Sequence, residues 1–319
     1  MKVLITDYDF PDIELERGVL ESGGLEVVTA QCRTEEQVID AARGCSALLV
    51  QYAPITEKVL AASPQVGIAS RFGAGFDVID TAAAEKHGVW VSNSPDYGVG
   101  EVSTHAFAMT LSLLRHLPFY DRDVKSGRWD YGSTGKLKRV SDLTLGILGL
   151  GRIGKRMAHI ARNSFKRVIA CDPYIIDGDF PAYVERVGQE DLFRDSDCLS
   201  LHLPLNPATR GLVNARLLNL MKPGSILVNT ARGGIINLDD LVQVVEAGRL
   251  DGVGLDVLPI EPIPVDHPIV RQPRVILSPH AAFYSTVAER ELRRKAAQNI
   301  VTWAKTGRPD YVVIKGRPR

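Results

Sequence analysis

The stretch Leu145-Gly-Ile-Leu-Gly-Leu-Gly-Arg-Ile-Gly154 decides how this chain folds. Its first four residues form an apolar run typical of a buried strand, and a helical pattern begins at Arg152. Between the two lies Gly149-x-Gly151-x-x-Gly154. The first glycine permits a tight turn, the second lets the backbone approach a pyrophosphate, and the third lets helix and strand pack closely. The N-terminus of the helix offers N–H groups to phosphates. A glycine-rich structural turn would have the same letters, so the surrounding sequence must decide between the two.

A carboxylate follows the next predicted strand at the spacing expected of a dinucleotide site. Asp172 lies 18 residues after Gly154, close to the roughly 20 residues expected for the acid that binds a ribose. A carboxylate there accepts hydrogen bonds from both ribose hydroxyls and repels a 2′-phosphate, and Pro173-Tyr174 supplies no arginine to hold that phosphate. We therefore predict NAD rather than NADP as the cofactor, although Lys166 and Arg167 precede the strand and soften that preference. The alternative is a surface aspartate at a strand end.

Short apolar runs alternate with helical patterns along the whole chain, which is typical of parallel sheets covered by helices on both faces. The predicted strands of the first series are Val3–Thr6, Leu25–Thr29, Ala47–Val50 and Ile68–Ser70. The predicted strands of the second series are Leu145–Leu148, Val168–Cys171, Cys198–Leu201, Ile226–Asn229, Gly252–Asp256 and Val275–Leu277. The pattern predicts an α/β fold with two Rossmann-like, doubly wound parallel-sheet domains.

The helical patterns indicate where the two domains divide. A long apolar helix is predicted over Gly98–His116, just before Pro118 and the second series of strands. The last predicted helix, Thr286–Lys305, has no strand to lead into, so we expect it to return to the first half of the chain. The prediction is a discontinuous substrate-binding domain of residues 1–98 and 287–319, and an NAD-binding domain of residues 99–286.

Composition excludes several classes of protein. The 319 residues carry no formal net charge, which gives no sign of a nucleic-acid partner. No apolar run approaches the roughly 20 residues of a membrane span, and the N-terminus has no secretory signal. The four cysteines show no spacing typical of a metal site. We expect a cytoplasmic protein with free thiols, without metal and without a membrane partner.

Three polar residues follow predicted strands of the second series: Arg232, Glu261 and His280. Ligands of open α/β sheets bind outside the carboxyl ends of the strands, so all three stand at the edge where chemistry is expected. Taken alone, each has an ordinary interpretation. A single histidine is more often structural, and an arginine and a glutamate more often form a surface ion pair of little energetic weight.

Together these residues belong to motifs that resemble the D-isomer-specific 2-hydroxyacid dehydrogenase family. The resemblance covers essentially the whole chain. It rests on the glycine turn and on Arg71-Phe-Gly-Ala-Gly-Phe-Asp77, Asn229-Thr-Ala-Arg-Gly-Gly234, Gly254-Leu-Asp-Val257 with Glu261-Pro262, and Ser278-Pro-His-Ala-Ala282. Within the family, Asp172-Pro-Tyr174 and His280-Ala-Ala-Phe-Tyr284 are most similar to the C-terminal-binding-protein branch, which usually has a tryptophan where this chain has Phe283.

The resemblance implies a reaction and a role for each candidate. Family members interconvert a 2-keto acid and a D-2-hydroxy acid with NAD. His280 would be the general acid and base on the substrate oxygen, because imidazole titrates near neutrality. Glu261 would orient the ring and favour its protonated form. Arg232 would bind the substrate carboxylate, for which a planar guanidinium is well suited.

The resemblance also implies further ligand contacts. For the substrate, it indicates the turn Gly73-Ala74-Gly75, with Arg71 and Tyr52 as further candidates, although Gly73–Gly75 has the alternative of a tight turn after a buried strand. The implied cofactor contacts are Gly149, Gly151, Arg152, Ile153, Gly154, Asp172, Leu203, Pro204, Asn206, Thr209, Thr230, Ala231, Arg232, Asp256, His280 and Ala282. Among them, Asp256 would accept from the nicotinamide carboxamide, and Pro204 has the alternative of a rigid loop residue.

One position departs from the family pattern. The long helix commonly begins Val-Ala-Glu-His-Thr, whereas this chain has Val102-Ser-Thr-His-Ala106, so a hydroxyl expected to contact phosphate is absent. Thr104 is a possible replacement.

Two other functions and one assembly accompany the leading prediction. An NAD(H)-sensing regulatory protein similar to the C-terminal-binding proteins is the alternative function. Formate or phosphite oxidation is disfavoured because Glu261 is present. The resemblance implies a homodimer, and the apolar helix Val102–Leu114 fits either an interface or a core.

Overall fold

Four of the five short strands of the first unit consist mostly of buried residues. In the computed structural model, which describes residues 1–317, this unit comprises Met1–Gly98 and the chain from Ser285 onwards. Its first elements are β1 (Lys2–Ile5), α1 (Glu14–Ser22), β2 (Glu26–Thr29), α2 (Glu35–Ala41), β3 (Ala47–Val50), α3 (Glu57–Ala62), β4 (Ile68–Arg71), α4 (Thr81–His87) and β5 (Trp90–Ser92).

These strands pair into one parallel sheet with the order β2-β1-β3-β4-β5 among the described residues. Val3, Leu4 and Ile5 on the inner strand β1 are fully buried, as expected of a parallel sheet with both faces covered. This strand order is that of flavodoxin-like doubly wound folds. The residues that follow β1, β3 and β4 therefore share one edge of the sheet.

The second unit comprises Val99–Tyr284. Its elements are α5 (Val99–Leu114), α6 (Leu117–Lys125), β6 (Thr144–Leu148), α7 (Arg152–Ala161), β7 (Arg167–Cys171), β8 (Glu185–Arg186), α8 (Gln189–Asp195), β9 (Cys198–Leu201), α9 (Ala215–Leu218), β10 (Ser225–Asn229), α10 (Leu238–Glu246), β11 (Leu250–Leu255) and β12 (Val275–Leu277). Short 3-10 helices lie at Val140–Asp142, Asp177–Asp179, Gly233–Ile235 and Pro268–Arg271.

The strands of this unit form a second parallel sheet, ordered β12-β11-β10-β9-β6-β7-β8 among the described residues. Strand β6 pairs with β7 on one side and with β9 on the other. The direction in which the chain adds strands reverses at this point, so the carboxyl ends of β6 and β9 mark the topological switch where Rossmann folds bind their ligands. The predicted fold class is thereby confirmed.

The last helix, α11 (Thr286–Thr306), packs on the first unit. Leu292, Ala296, Ile300 and Trp303 are buried along it, and the backbone carbonyl of Ala296 accepts a hydrogen bond of 2.8 Å from Ser70 Oγ on β4. The two ends of the sequence therefore build one unit.

The observed boundaries differ from the predicted ones in a few places. The units divide between Tyr284 and Ser285, two residues before the predicted boundary, and residues 318 and 319 lie outside the described residues. Strands β5 and β8 were not predicted, because runs of three and two residues give too little periodicity to recognise. The long helix ends at Leu114, and Pro118 lies in the first turn of α6 rather than marking only an end.

The apolar helix α5 is part of the core of the second unit. Ala106, Met109 and Leu113 are buried and belong to the same cluster as the sheet residues Ile226 and Val228. Within residues 1–317, no helix is both long and apolar enough to span a membrane, and no three His, Cys, Asp or Glu side chains are grouped to hold a metal ion.

Candidate active site

The glycine turn after β6 adopts the geometry that its sequence predicts. Gly149 has a φ of 92°, and a Cβ atom at this position would lie 2.7 Å from the carbonyl oxygen of His202. A Cβ at Gly154 would lie 2.1 Å from the carbonyl oxygen of Gly149. The first glycine is thus required by the left-handed turn, and the third by the close approach of α7 to the turn.

The start of α7 is open to a ligand. Gly151 is the N-cap residue of α7, and no side chain caps this end. A Cβ at Gly151 would meet no heavy atom within 4 Å. The first N–H groups of a helix have no partner within it, so the turn offers donors and space to an anionic group. These features fit the pyrophosphate of a dinucleotide.

Asp172 is fixed beside the turn at the end of β7. Its Oδ2 accepts a hydrogen bond of 2.8 Å from the N–H of Leu150, and its Oδ1 accepts one of 2.9 Å from the N–H of Tyr174. Each carboxylate oxygen has a further lone pair. The side chain is therefore held in place with acceptor capacity left for ribose hydroxyls.

The loop after β9 lies against the glycine turn. The side chain of Leu203 would be 3.0 Å from a Cβ at Gly149. Farther along, Thr209 Oγ1 donates to the carbonyl of Pro204 at 2.7 Å, and Asn206 Oδ1 accepts from the N–H of Thr209 at 3.1 Å. This loop is thus preorganised by its own hydrogen bonds, with its polar side chains partly used in holding its shape.

His202, which precedes that loop, was not singled out in the sequence. Its ring lies 2.9 Å from Ser200 Oγ, and burial lowers the pKa of this imidazole to about 4. The ring is therefore neutral at physiological pH and adds no positive charge at the switch point. Its position at the end of a strand next to β6 was the available signal, but the strand order was needed to use it.

Arg232 follows β10 on a turn that a buried amide holds. Asn229 is completely buried, and its side chain donates to the carbonyl of Arg232 at 2.9 Å and accepts from the N–H of Ala231 at 3.0 Å. The hydroxyl of Thr230 is buried and has no hydrogen-bond partner among the residues described.

A close contact between backbones brings the turn with Arg232 to the loop with Glu261. A Cβ at Gly233 would lie 2.0 Å from the carbonyl carbon of Leu258, so only glycine permits this approach. The N–H of Leu258 in turn donates to Glu261 Oε1 at 2.8 Å.

Glu261 and His280 form the hydrogen bond that the sequence leads us to expect. His280 Nδ1 lies 2.7 Å from Glu261 Oε2. Burial would raise the pKa of Glu261, but the hydrogen bond to His280 and its charge, the N–H of Leu258 and the positive charge of Arg232 together lower it below its ordinary value of 4.5. The carboxylate is therefore ionised at neutral pH, and the three candidates form one electrostatic group at the carboxyl ends of β10, β11 and β12.

Asp256 binds the backbone N–H groups of His280 and of the two residues that follow it. Its carboxylate accepts hydrogen bonds from the N–H groups of Ala281 at 2.8 Å and Ala282 at 3.0 Å, and its carbonyl accepts from the N–H of His280 at 2.8 Å. Only 2% of Asp256 is exposed. Its contact with a carboxamide stays a prediction, and its observed partners are backbone groups of the loop with His280.

The predicted substrate turn lies in the first unit, after β4. Gly73 has a φ of 136°, and its lack of a side chain leaves room for the guanidinium of Arg71. The carbonyl of Gly73 accepts from the N–H of Ser94 at 2.8 Å, and that of Ala74 accepts from Asn93 Nδ2 at 2.6 Å. Among the described residues, none accepts a hydrogen bond from the N–H groups of residues 73–75. A turn with bound carbonyls and open N–H groups beside an arginine fits an anion.

Tyr52 and Thr104 have polar contacts of their own. In the first unit, Tyr52 Oη donates to Asp9 Oδ2 at 3.2 Å, and its backbone N–H donates to Asp7 Oδ2 at 2.7 Å. In α5, Thr104 Oγ1 donates to the carbonyls of Gly100 and Glu101 in its own helix. Its hydroxyl is thus engaged by helix backbone, and Ala106 is buried.

Comparison with known proteins gives a consistent set of matches. Residues 107–282 match the model of the D-isomer specific 2-hydroxyacid dehydrogenase, NAD binding domain. The chain is 32% identical over 295 residues to a glyoxylate reductase from Korarchaeum cryptofilum, covering 89% of each sequence. It is 30% identical to a hydroxypyruvate reductase from Blautia hydrogenotrophica, covering 99% of this chain and 100% of that protein.

The fold matches solved structures along its whole length. The structure of D-lactate dehydrogenase from Aquifex aeolicus complexed with NAD and lactic acid has a TM-score of 0.87 at 26% identity, covering 99% of this chain and 100% of that one. The chain also matches D-3-phosphoglycerate dehydrogenases, such as that of Bacillus subtilis, but spans only about half their length, 54% in that case.

Proposed function

This chain belongs to the D-isomer specific 2-hydroxyacid dehydrogenase family, and we propose that it interconverts a small 2-keto acid and the D-2-hydroxy acid with NAD as cofactor. Its family makes it an oxidoreductase that acts on CH–OH groups and binds a nicotinamide dinucleotide, NAD or NADP. The observation that carries the finer proposal is the hydrogen bond of 2.7 Å between His280 and Glu261, with Arg232 close enough to lower the pKa of that glutamate.

Cofactor binding is assigned to the turn after β6 and to Asp172. The N–H groups at the start of α7 would hold the pyrophosphate, and the carboxylate of Asp172 would bind the ribose hydroxyls and repel a 2′-phosphate. This repulsion supports the preference for NAD over NADP. When bound, the reduced nicotinamide supplies a hydride to the keto carbon.

His280 is assigned the proton transfer. Its Nδ1 faces Glu261, which leaves Nε2 for the substrate oxygen. In reduction the protonated ring donates its Nε2 proton to the carbonyl oxygen as negative charge develops there, and in oxidation the neutral ring removes the hydroxyl proton. The ionised Glu261 stabilises the protonated ring and fixes which nitrogen carries the transferred proton.

We assign the binding of the substrate carboxylate to Arg232. A guanidinium presents paired donors that match the two oxygens of a carboxylate, and its charge also polarises the adjacent keto group. We propose the N–H groups of Gly73, Ala74 and Gly75 and the side chain of Arg71 as further carboxylate contacts. Tyr52 remains a candidate for the substrate pocket.

The proposal is tested by NADH oxidation with glyoxylate, hydroxypyruvate, pyruvate and longer 2-keto acids. We expect turnover with at least one small 2-keto acid. His280→Gln should lower kcat by about 10²- to 10⁴-fold, the usual contribution of a general acid, while NADH binding measured by fluorescence is retained. Arg232→Gln should lower kcat and raise KM together.

The control is His159→Gln, because His159 is an exposed histidine on α7. Wild-type turnover in the His280→Gln and Arg232→Gln proteins would contradict the assigned roles. Absence of activity with every keto acid would favour the NAD(H)-sensing alternative, which the names of the similar proteins do not support.

We also propose a homodimer, from an exposed aromatic face of the second unit. Trp129 and Tyr131 are 88% and 93% exposed, and beside them runs a groove lined in part by Tyr120, Val124 and Leu137. A protruding pair of aromatic side chains next to an apolar groove on the same face suits two-fold self-association. Light scattering should give twice the chain mass for the wild type and a monomer for the variant with Trp129→Ala and Tyr131→Ala. A monomeric wild type would contradict this proposal.

A further inference from the structure

A row of polar side chains leads from helix α5 to the loop that carries His280. His105 Nε2 lies 3.0 Å from Ser278 Oγ, and it lies 3.7 Å from Asp256 Oδ1. Ser278 Oγ donates a short hydrogen bond to the same Asp256 oxygen. The three side chains join α5, the end of β11 and the residue after β12, and all belong to the second unit.

The number of protons that each side chain can donate fixes the direction of these hydrogen bonds. A serine hydroxyl has one proton, and here it is directed at the carboxylate of Asp256. The oxygen of Ser278 must therefore accept its second hydrogen bond from an N–H of His105. The imidazole thus bears a proton on Nε2, and the row ends on a carboxylate that is 2% exposed.

Asp256 connects these side chains to the backbone around His280 through its own hydrogen bonds. Its carboxylate holds the N–H groups of Ala281 and Ala282, and its carbonyl holds the N–H of His280. His280 has a φ of 53°, a left-handed conformation that costs a non-glycine residue roughly 1–2 kcal/mol. Such a conformation persists only where the surroundings hold it, and Asp256 supplies three of the contacts that do so.

We propose that His105 and Ser278 are positioning residues for catalysis, which hold the carboxylate of Asp256 so that the loop presents His280 in its left-handed conformation. The inference rests on the proposed role of His280 as general acid and base. Neither side chain touches the reacting atoms in this role. Both act by fixing the acceptor to which the loop is bound.

The test compares Ser278→Ala, His105→Leu and the double variant with the wild type. Each single change should lower kcat by about tenfold or more, since a misplacement near 1 Å reduces turnover strongly, while NADH still binds, because the glycine turn and Asp172 are untouched. The double variant should be no worse than the poorer single variant, because both changes break one row of contacts. His105→Gln should restore most of kcat, because its amide can donate to Ser278.

The matched control is Thr110→Val. Thr110 lies on the same helix, is buried, and donates its hydroxyl to the carbonyl of Ala106 at 2.8 Å, away from the loop. Thr110→Val should change stability without changing kcat. Additive losses in the double variant, or no loss in either single variant, would overturn the inference.

A measurement without substrate separates this inference from the proposed function. Amide exchange of Ala281 and Ala282, followed by NMR, should be faster in Ser278→Ala and His105→Leu than in the wild type and unchanged in Thr110→Val. If the wild type reduced no 2-keto acid, the proposed function would fail while this exchange pattern still supported the row of contacts. Equal exchange rates in all four proteins would overturn the inference.

Discussion

Two backbone N–H groups fix the orientation of the Asp172 carboxylate, which we propose to bind a ribose. Each of its carboxylate oxygens is held by one backbone N–H, from Leu150 on the glycine turn and from Tyr174. The side chain is thus oriented in part by the glycine turn, to which we also assign the binding of the cofactor phosphates. The sequence predicts the identity and spacing of this acid, and the structure adds that its orientation depends on the N–H of a residue 22 positions away.

Asp172→Asn should weaken NADH binding by about 10- to 100-fold, because hydrogen bonds to a charged group contribute about 1.5–3 kcal/mol. NADPH binding should weaken less or improve, since the repulsion of the 2′-phosphate is removed. Fluorescence titration with both nucleotides measures the ratio. Asp191→Asn, which breaks only an exposed ion pair with Arg194, is the control, and an unchanged ratio in Asp172→Asn would contradict the NAD assignment.

Glu261 carries its negative charge beside His280 throughout the neutral pH range. The pKa of Glu261 is below 4.5, so its charge is present at neutral pH and is lost only as the pH falls through that lowered value. In Glu261→Gln the charge that stabilises the protonated ring is missing at every pH. We expect kcat/KM for reduction at neutral pH to fall by about tenfold or more, because a hydrogen bond to a charged partner of the ring is lost. An unchanged kcat/KM in Glu261→Gln would separate Glu261 from the proton transfer.

At the scale of elements, the loops that follow the strands, rather than the strands themselves, bring the candidate catalytic residues together. The approach of Gly233 to Leu258 brings the turn of β10 to the loop of β11, and with it Arg232 to Glu261. In the sequence, only Gly233 and Gly234 after Arg232 indicated that the backbone could be approached closely there. The partner, Leu258, follows another strand and could not be identified from these glycines.

Gly233→Ala should lower the free energy of unfolding by about 1–3 kcal/mol, the usual cost of overpacking, and should lower kcat because the two loops move apart. Urea denaturation and steady-state kinetics measure the two effects. Gly18→Ala is the control, since Gly18 lies in α1 with no heavy atom within 4 Å of an added Cβ. That change should stabilise by about 0.5–1 kcal/mol. Wild-type kcat in Gly233→Ala would show that the contact is dispensable.

Helix α7 carries its charge on one side. Arg152, Arg156 and Arg162 recur at helical spacing and are exposed, and residues 149–171 contain no Asp or Glu. Such a stripe attracts an anionic dinucleotide over roughly 10 Å at physiological salt. Its first residue lies at the glycine turn, so the stripe leads toward the proposed phosphate site.

Reversing two charges beyond the first turn of the helix, Arg156→Glu with Arg162→Glu, should slow NADH association several-fold at low salt and change dissociation less. The difference should vanish at high salt, when stopped-flow fluorescence is repeated. Lys125→Glu on α6, where the lysine pairs with Asp121, is the control. Equal association rates at low salt would rule out steering by the stripe.

At the scale of the whole molecule, the chain closes its first unit with its last helix. Arg293 of α11 donates to Glu16 of α1 at 2.7 Å, with the glutamate completely buried, and its guanidinium lies 4.7 Å from the centre of the Phe10 ring. Hydrogen bonds to Glu16 and Asp12 raise the pKa of Arg293, so this cation keeps its charge at any working pH. A buried pair of this kind is sensitive to the loss of one partner.

Arg293→Met should destabilise the first unit by about 3–5 kcal/mol, because Glu16 is left as an uncompensated buried charge. The double variant with Glu16→Leu should recover much of that loss. Urea unfolding, followed by fluorescence, compares the two. If the double variant were no more stable than Arg293→Met, the loss would come from packing rather than from the unpaired charge.

The sequence by itself determined what is encoded locally. Strand, glycine turn, helix and acid follow one another within about thirty residues, and each is required by backbone geometry or by phosphate and ribose chemistry, so both the fold class and the dinucleotide could be predicted. It also placed Arg232, Glu261 and His280 at strand ends. Only the tertiary structure decided which of these ends meet, since apolar runs do not specify the order of strands in a sheet.

The contacts that hold the candidate site are those that span long stretches of chain. Asp256 binds the N–H of Ala281, 25 residues away, and His105 reaches Ser278, 173 residues away. The apolar face of α5 was equally consistent with an interface, and packing assigned it to the core. The physical reason is the same in each case: a hydrogen bond between distant residues depends on where whole elements pack, and the periodicity of one element carries no information about its neighbour.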